Sequence, residues 1–210
     1  MCGLLAAMIA LAGCAPIRPD AAASPPPALE WSECGQGLDC ATVPVPVDHA
    51  DPGGPTVALA LVRHRATDPA QRIGVLLINP GGPGGSATET VRTLDDSGTP
   101  ILVSPETAAR YDVIGMDPRG VGGSQGVQCL TDAEREAAIA VDADPTVSGG
   151  LALDQLLANA RELAEGCAAN VDPALLGRMA TDDVARDMDL VRAALGEERI
   201  SYLGLSYGTF

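Results

Sequence analysis

"ISYLGLSYGTF", residues 200–210, is the stretch whose reading decides the fold. A short run of β-forming residues from Ile200 to Gly204 breaks without a spacer into Gly204-Leu205-Ser206-Tyr207-Gly208. A serine on a sharp turn directly after a strand, flanked by glycines that tolerate close approach, has the pattern of a nucleophile elbow, which lifts the hydroxyl above the end of a sheet. The same GxSxG spacing recurs at Gly122-Gly123-Ser124-Gln125-Gly126, so spacing alone does not choose between them. Context does. Ser124 stands seven residues past Asp117 in a glycine-rich loop with no strand of its own, and reads as a turn residue. Ser206 is the candidate nucleophile.

Working back from the elbow, the segment Thr181 to Leu195 predicts a helix. Thr181 is placed to cap it, Asp182 and Asp183 sit at the positive end of its dipole, and Gly196 can end it. Val184, Met188, Val191 and Leu195 would form its buried face. "TDAEREAAIAV" and "LALDQLLANARELAEGCAA" also read as helical. Earlier still, "IGVLLI" (Ile73 to Ile78) is an unbroken apolar run, the pattern of a strand covered on both faces in a parallel sheet. "YDVIGMD" (Tyr111 to Asp117) repeats it. "TVALALVRH" (Thr56 to His64) alternates and reads as a strand near a sheet edge. The two apolar strands run straight into "NPGGPGGS" and "PRGVGGS", and in an open α/β sheet the carboxyl ends of strands are where sites are built. The order of strands and helices predicts an α/β fold, a mostly parallel sheet flanked by helices.

Composition excludes several functions. The chain has 210 residues, a formal net charge of -15 and no lysine, which leaves nothing to neutralise a run of phosphates and argues against nucleic acid as a partner. The missing lysine also removes the phosphate-binding GKS loop, Ser/Lys dyads and Schiff bases. Two histidines, His49 and His64, fit no HExxH pattern, and the cysteines show no CxxC spacing, so neither metal nor cofactor is expected.

The opening "MCGLLAAMIALAGCAP" is a short apolar run ending in small residues and reads as an export signal, residues 1–13. Leu11-Ala12-Gly13-Cys14 resembles a lipobox, in which Cys14 becomes the lipidated residue, although no Lys or Arg precedes the apolar run. The Pro/Ala-rich residues 14–30 then form a tether, and 31–210 the folded domain. These features place the protein outside the cytoplasm, held to the membrane by a lipid anchor or secreted. An oxidising compartment lets thiols pair. With Cys14 lipidated, Cys34, Cys40, Cys129 and Cys167 allow three pairings, of which Cys34 with Cys40 and Cys129 with Cys167 are favoured, the first closing a tight loop and the second clipping a helical excursion.

A serine nucleophile needs donors aimed at the developing oxyanion. The backbone N–H of Tyr207 would be one, and Gly82, in a loop whose glycines let the backbone approach a substrate carbonyl, the other. "NPGGPGGS", "YDVIGMDPRGVGGS" and "ISYLGLSYGT", in this order and each tied to a strand, resemble the α/β-hydrolases of the tripeptidyl aminopeptidase and proline iminopeptidase group, particularly the secreted actinobacterial type. The resemblance runs from about Trp31 to Phe210. It implies Ser/Asp/His catalysis that releases residues from the free N-terminus of peptides, with Ser206 as nucleophile and Gly82 and Tyr207 as the oxyanion hole. Pro80 departs from the iminopeptidase form of the loop, where a histidine precedes the glycine pair.

In this fold the triad runs Ser, then Asp or Glu, then His, so both partners are expected beyond residue 210. His49 and His64 precede the serine and read as structural or surface residues. The sequence is therefore expected to be the N-terminal part of such an enzyme, incomplete at its C-terminus and inactive as it stands. An esterase or lipase on the same machinery, and a non-catalytic surface lipoprotein, are the alternatives.

Overall fold

The structure is a computed structural model that describes residues 29–139 and 151–210. The export signal, Cys14 and nearly all of the tether lie outside the described residues. Leu29, assigned to the tether by the sequence, packs against the core.

Six strands form one sheet: β1 (Ser32–Glu33), β2 (Asp39–Pro46), β3 (Thr56–His64), β4 (Gly74–Asn79), β5 (Tyr111–Met116) and β6 (Ser201–Gly204), in the spatial order β1-β2-β3-β5-β4-β6. Parallel ladders join β5 to β4 and β4 to β6, while β1, β2 and β3 add antiparallel strands on one side. β3 is thus flanked by β2 and β5, not near an edge as its alternation suggested. The missing neighbour was β2, which contains Pro44 and Pro46. Its inward residues Ala41, Val43 and Val45 are buried, while Thr42 and Pro44 face outward. β1 pairs only with Asp39 and Cys40, so beyond them the outer side of β2 has no ladder for proline to break.

The central strands are apolar because both faces are covered. On one face Val43, Leu59, Leu77 and Ile114 pack against helix α6 (Thr181–Ala194) through Val191 and Ala194. On the other, Val62, Ile78 and Val113 pack on Val91 of helix α1 (Ala87–Arg92). Helix α2 (Pro105–Arg110) completes the crossover from β4 to β5. Helices α3 (Asp132–Ile139), α4 (Leu151–Asn170) and α5 (Pro173–Leu176) lie between β5 and α6. Both favoured disulfides are present, Cys34–Cys40 and Cys129–Cys167, the second joining the segment before α3 to α4.

Helix α6 corrects the sequence reading in two respects. Ala180 holds the N-cap position and offers no side-chain acceptor, while Thr181 is the first helical residue. The buried positions are Asp183, Asp187, Val191 and Ala194, with Val184, Met188 and Leu195 packed beside them. The stripe is displaced by one position and takes in two aspartates. The helix end is as expected: Gly196 adopts φ 72°, and the amides of Gly196 and Glu197 return to the carbonyls of Ala193 and Arg192, a Schellman closure.

Candidate active site

The chain leaves β4 toward β5 on one side and returns from β5 past β4 to β6 on the other, so adjacent strands β4 and β6 carry crossovers running in opposite directions. A crevice opens at the carboxyl ends of strands where connections diverge in this way. Here the two loops at that point are "NPGGPGGS" after β4 and the elbow after β6. The last pairs of their ladder are Ile78 with Leu203 and Asn79 with Gly204.

Ser206 follows β6 after one residue and has φ 51°. A non-glycine residue with positive φ costs energy that the surroundings must supply, and such residues concentrate at functional turns. The surroundings here are specific. The Leu205 amide donates to the Asn79 carbonyl (3.0 Å), the Gly208 amide to the Leu205 carbonyl (2.8 Å), and the Tyr202 hydroxyl to the Gly208 carbonyl (2.8 Å). Burial pushes the Tyr202 phenol above its ordinary value, against a smaller opposing effect of Asn79, so it remains a protonated donor. A Cβ on Gly204 would run into the Gly208 carbonyl, and one on Gly208 would meet the Asn79 carbonyl at 2.7 Å. The two glycines are the contact surfaces that let the turn fold back on its strand.

Gly81 (φ 88°) brings the β4 loop against this turn, where a Cβ would lie 2.9 Å from the Tyr207 amide nitrogen. Its own amide donates to Asn79 Oδ1 (2.9 Å), and its carbonyl accepts from the Gly85 amide (2.9 Å). Gly82 (φ 117°) is the next residue, followed by a cis bond to Pro83. The loop bearing Gly82 and the turn bearing Tyr207 therefore abut. The Tyr207 hydroxyl pairs with Thr181 Oγ1 (3.2 Å), and its ring stacks on Phe210 at 5.7 Å between centroids.

The far end of the β4 loop is tied to β5. Asp117 is fully buried and accepts from Ser86 Oγ (2.9 Å), the Thr88 amide (3.0 Å), Thr88 Oγ1 (2.9 Å) and the Gly123 amide (2.9 Å). Ser124, the second GxSxG serine, is buried too. Its hydroxyl donates to the Asp117 carbonyl (2.7 Å) and accepts from the Ala60 amide (2.8 Å), which makes it a stitch between β3 and the β5 loop.

A cavity of about 700 Å³ backs onto the elbow from the α6 side, walled by Val127, Met179, Met188, Tyr202, Tyr207 and Phe210 among others. Neither Ser206 nor Gly82 lines it. Below it runs a buried ionic network that the sequence did not reveal. Arg119, fully buried, donates Nε to Asp187 Oδ2 (2.7 Å) and Nη2 to Asp187 Oδ1 (2.6 Å), and reaches the carbonyls of Pro46, Val47 and Arg178. His49 Nε2 contacts Asp187 Oδ1 (3.1 Å). Burial pushes the Asp187 carboxyl above its ordinary value, and Arg119 and His49 only partly counter this. His64 Nε2 faces the Gly98 carbonyl (3.1 Å). Neither imidazole bonds to Ser206.

The structure thus brings Ser206, Tyr207 and the Gly82 loop together, and puts Ser124 and both histidines elsewhere. Asp117 and Arg119 went unnoticed as contributors. The available signal was two charged residues among the glycines of "DPRGVGG", directly after a buried strand. No group of three or more His, Cys, Asp or Glu side chains among the described residues could hold a metal ion, and no described helix is long and apolar enough to cross a membrane.

Residues 74–210 match the family model described as alpha/beta hydrolase fold. The chain is 38% identical over 189 residues to a tripeptidyl aminopeptidase of Streptomyces lividans, covering 87% of this chain and 34% of that protein. It is 40% identical over 179 residues to carboxylesterase B of Mycobacterium tuberculosis, covering 80% of this chain and 33% of that protein. It is 34% identical over 223 residues to the serine protease Hip1 of Mycobacterium tuberculosis, covering 98% and 41% respectively. The chain spans about a third to two fifths of the length of these relatives.

Proposed function

The chain belongs to the alpha/beta hydrolase fold family, and from that premise we propose that the whole protein is a serine hydrolase in which Ser206 is the nucleophile and the amides of Gly82 and Tyr207 hold the oxyanion. The observation that carries this reading is the positive φ of Ser206, on a turn packed against the glycine loop after β4. The hydroxyl attacks an acyl carbonyl, and charge accumulating on the carbonyl oxygen is met by preorganised backbone donors. The carboxylate and imidazole that activate the serine follow it in the whole protein, in the chain order of this fold.

The leading substrate assignment is a peptide with a free N-terminus, from the likeness to the Streptomyces aminopeptidase. A simple ester is the second reading, favoured by the comparable likeness to carboxylesterase B. Two disulfides support a location outside the cytoplasm, and lipidation of Cys14 would hold the protein at the membrane. The test is a fluorophosphonate probe and paired turnover of an N-terminally free tripeptide anilide and an aryl ester. Covalent labelling at Ser206, lost in Ser206→Ala, is expected, with the anilide preferred. Absence of labelling in the active whole protein would remove Ser206 from the chemistry, and a strong ester preference would replace the aminopeptidase reading with the esterase one.

A further inference from the structure

The β4 loop must hold Gly82 at a fixed height above the sheet for its amide to serve as an oxyanion donor. Its first end is secured by Asn79, whose Oδ1 accepts from the Gly81 amide and whose carbonyl accepts from Leu205 of the elbow. Its other end is secured by one side chain. Asp117 has no cationic partner among the described residues, yet its carboxylate is fully buried with four donors around it. Burying an ionised carboxylate is costly unless hydrogen bonds replace water. Two of those donors lie at the start of α1, and a third is Ser86 Oγ, the residue at which the glycine loop ends. Ser86 Oγ also caps α1 by accepting from the Glu89 amide (3.1 Å). Asp117 Oδ2 reaches across to the Gly123 amide, and a Cβ on Gly122 would strike that oxygen. The carboxylate therefore stands at the junction of the two glycine-rich loops.

Resting on the serine-hydrolase reading above, we infer that Asp117 is a positioning residue for the oxyanion hole: it fixes Ser86 and Thr88, and through the Gly85 to Gly81 closure sets where the Gly82 amide points. It touches no substrate. Ser86 and Thr88 are the intermediates of this linkage, and Asn79 is the opposing anchor. Replacing a carboxylate oxygen with an amide NH₂ sets a backbone amide, that of Thr88 or of Gly123, against a second donor and forces the neighbouring hydroxyl to reverse from donor to acceptor, so Asp117→Asn displaces the loop end while preserving side-chain size.

The experiment measures Asp117→Asn and Ser86→Ala in the active whole protein, with rates normalised to the sites titrated by fluorophosphonate so that misfolded molecules drop out. A displacement of about 1 Å in a reacting group costs about 100-fold. Asp117→Asn is accordingly expected to lower kcat by roughly 10- to 100-fold with KM within about threefold, the signature of support given in the transition state. The inhibition constant of a trifluoromethyl ketone, which forms an oxyanion adduct on the serine, should rise by the same factor. Ser86→Ala removes one of the four bonds and should move both quantities in the same direction by a smaller factor, which serves if Asp117→Asn does not fold. A fall in thermal stability with unchanged kcat per titrated site and unchanged ketone affinity would overturn the inference and leave Asp117 a purely structural residue. Failure of the wild-type protein to label at Ser206 would instead overturn the reading on which it rests.

Discussion

Arg119→Met isolates the buried network that joins the β5 loop to α6. The wild-type guanidinium places two charge-assisted bonds on Asp187 and reaches three backbone carbonyls, with both side chains fully shielded from solvent. Removing one partner of a buried ion pair strands the other charge and costs about 3–5 kcal/mol. Urea slopes for small proteins are about 2 kcal/mol per molar, so the unfolding midpoint should fall by roughly 2 M. Fluorescence of the single tryptophan, Trp31, which lies under the Arg63 guanidinium at 4.1 Å, reports the transition. The loss should depend on pH in a defined sense. Burial already raises the Asp187 carboxyl, and without Arg119 it rises further. An acid whose folded value is raised stabilises the fold below that value and loses this as pH rises through it, so the variant should regain stability on acidification relative to wild type. Adding Asp187→Asn to Arg119→Met should recover about 2 kcal/mol by removing the stranded charge, although the three carbonyls stay without their donor. A cost below about 1 kcal/mol at neutral pH, with no recovery in acid, would refute the reasoning.

Ser206→Gly should be more stable than Ser206→Ala by about 1 kcal/mol in thermal or urea unfolding, because glycine adopts the positive φ without penalty while alanine keeps it; equal stabilities would mean that the turn stores no strain at this residue. Asp39 lies between Arg63 and Arg65 (2.7 and 2.6 Å); burial works to raise its carboxyl, but the hydrogen bonds from Arg65 and Arg63 outweigh this and hold it below the ordinary value of 3.8. Its contribution is therefore present above that value and lost as pH falls through the lower folded value, and Asp39→Asn should flatten the acid limb of a melting-temperature profile, whereas parallel profiles would argue against it. The Cys129–Cys167 bridge spans 38 residues and Cys34–Cys40 spans 6, so removing the first should cost about 4 kcal/mol and the second about 2 in the loop-entropy picture; the reverse order in paired Cys→Ser variants would show that native contacts dominate.

The elbow, the glycine loop and the buried strands were legible because each has a strong local signature: an apolar run with no alternation, or glycines where a backbone must approach another. β4, β5 and β6 each came within a residue of their expected bounds. β2 was hidden by Pro44 and Pro46, whose fit depends on a neighbour too short to reach them. The buried face of α6 was displaced because Asp183 and Asp187 are polar by type, and the Asp187 carboxylate is buried against partners distant in sequence, Arg119 and His49. Asp117, and the pairing of Thr181 with Tyr207, escaped for the same reason. They arise from contacts between separate segments, and no periodicity within a single segment encodes such contacts.

The register of β4 against β6 makes the sheet a ruler. Asn79 and Gly204 are paired at the end of the same ladder, so the glycine loop and the serine turn depart from one common level. A slip of a single residue would move one past the other by about 3.3 Å and invert every side chain beyond it. Lengthening either strand by one position should thus abolish the arrangement even with both loop sequences intact. The shared ladder couples the lengths of these two strands to each other, while the loops beyond it are held by their glycines rather than by register.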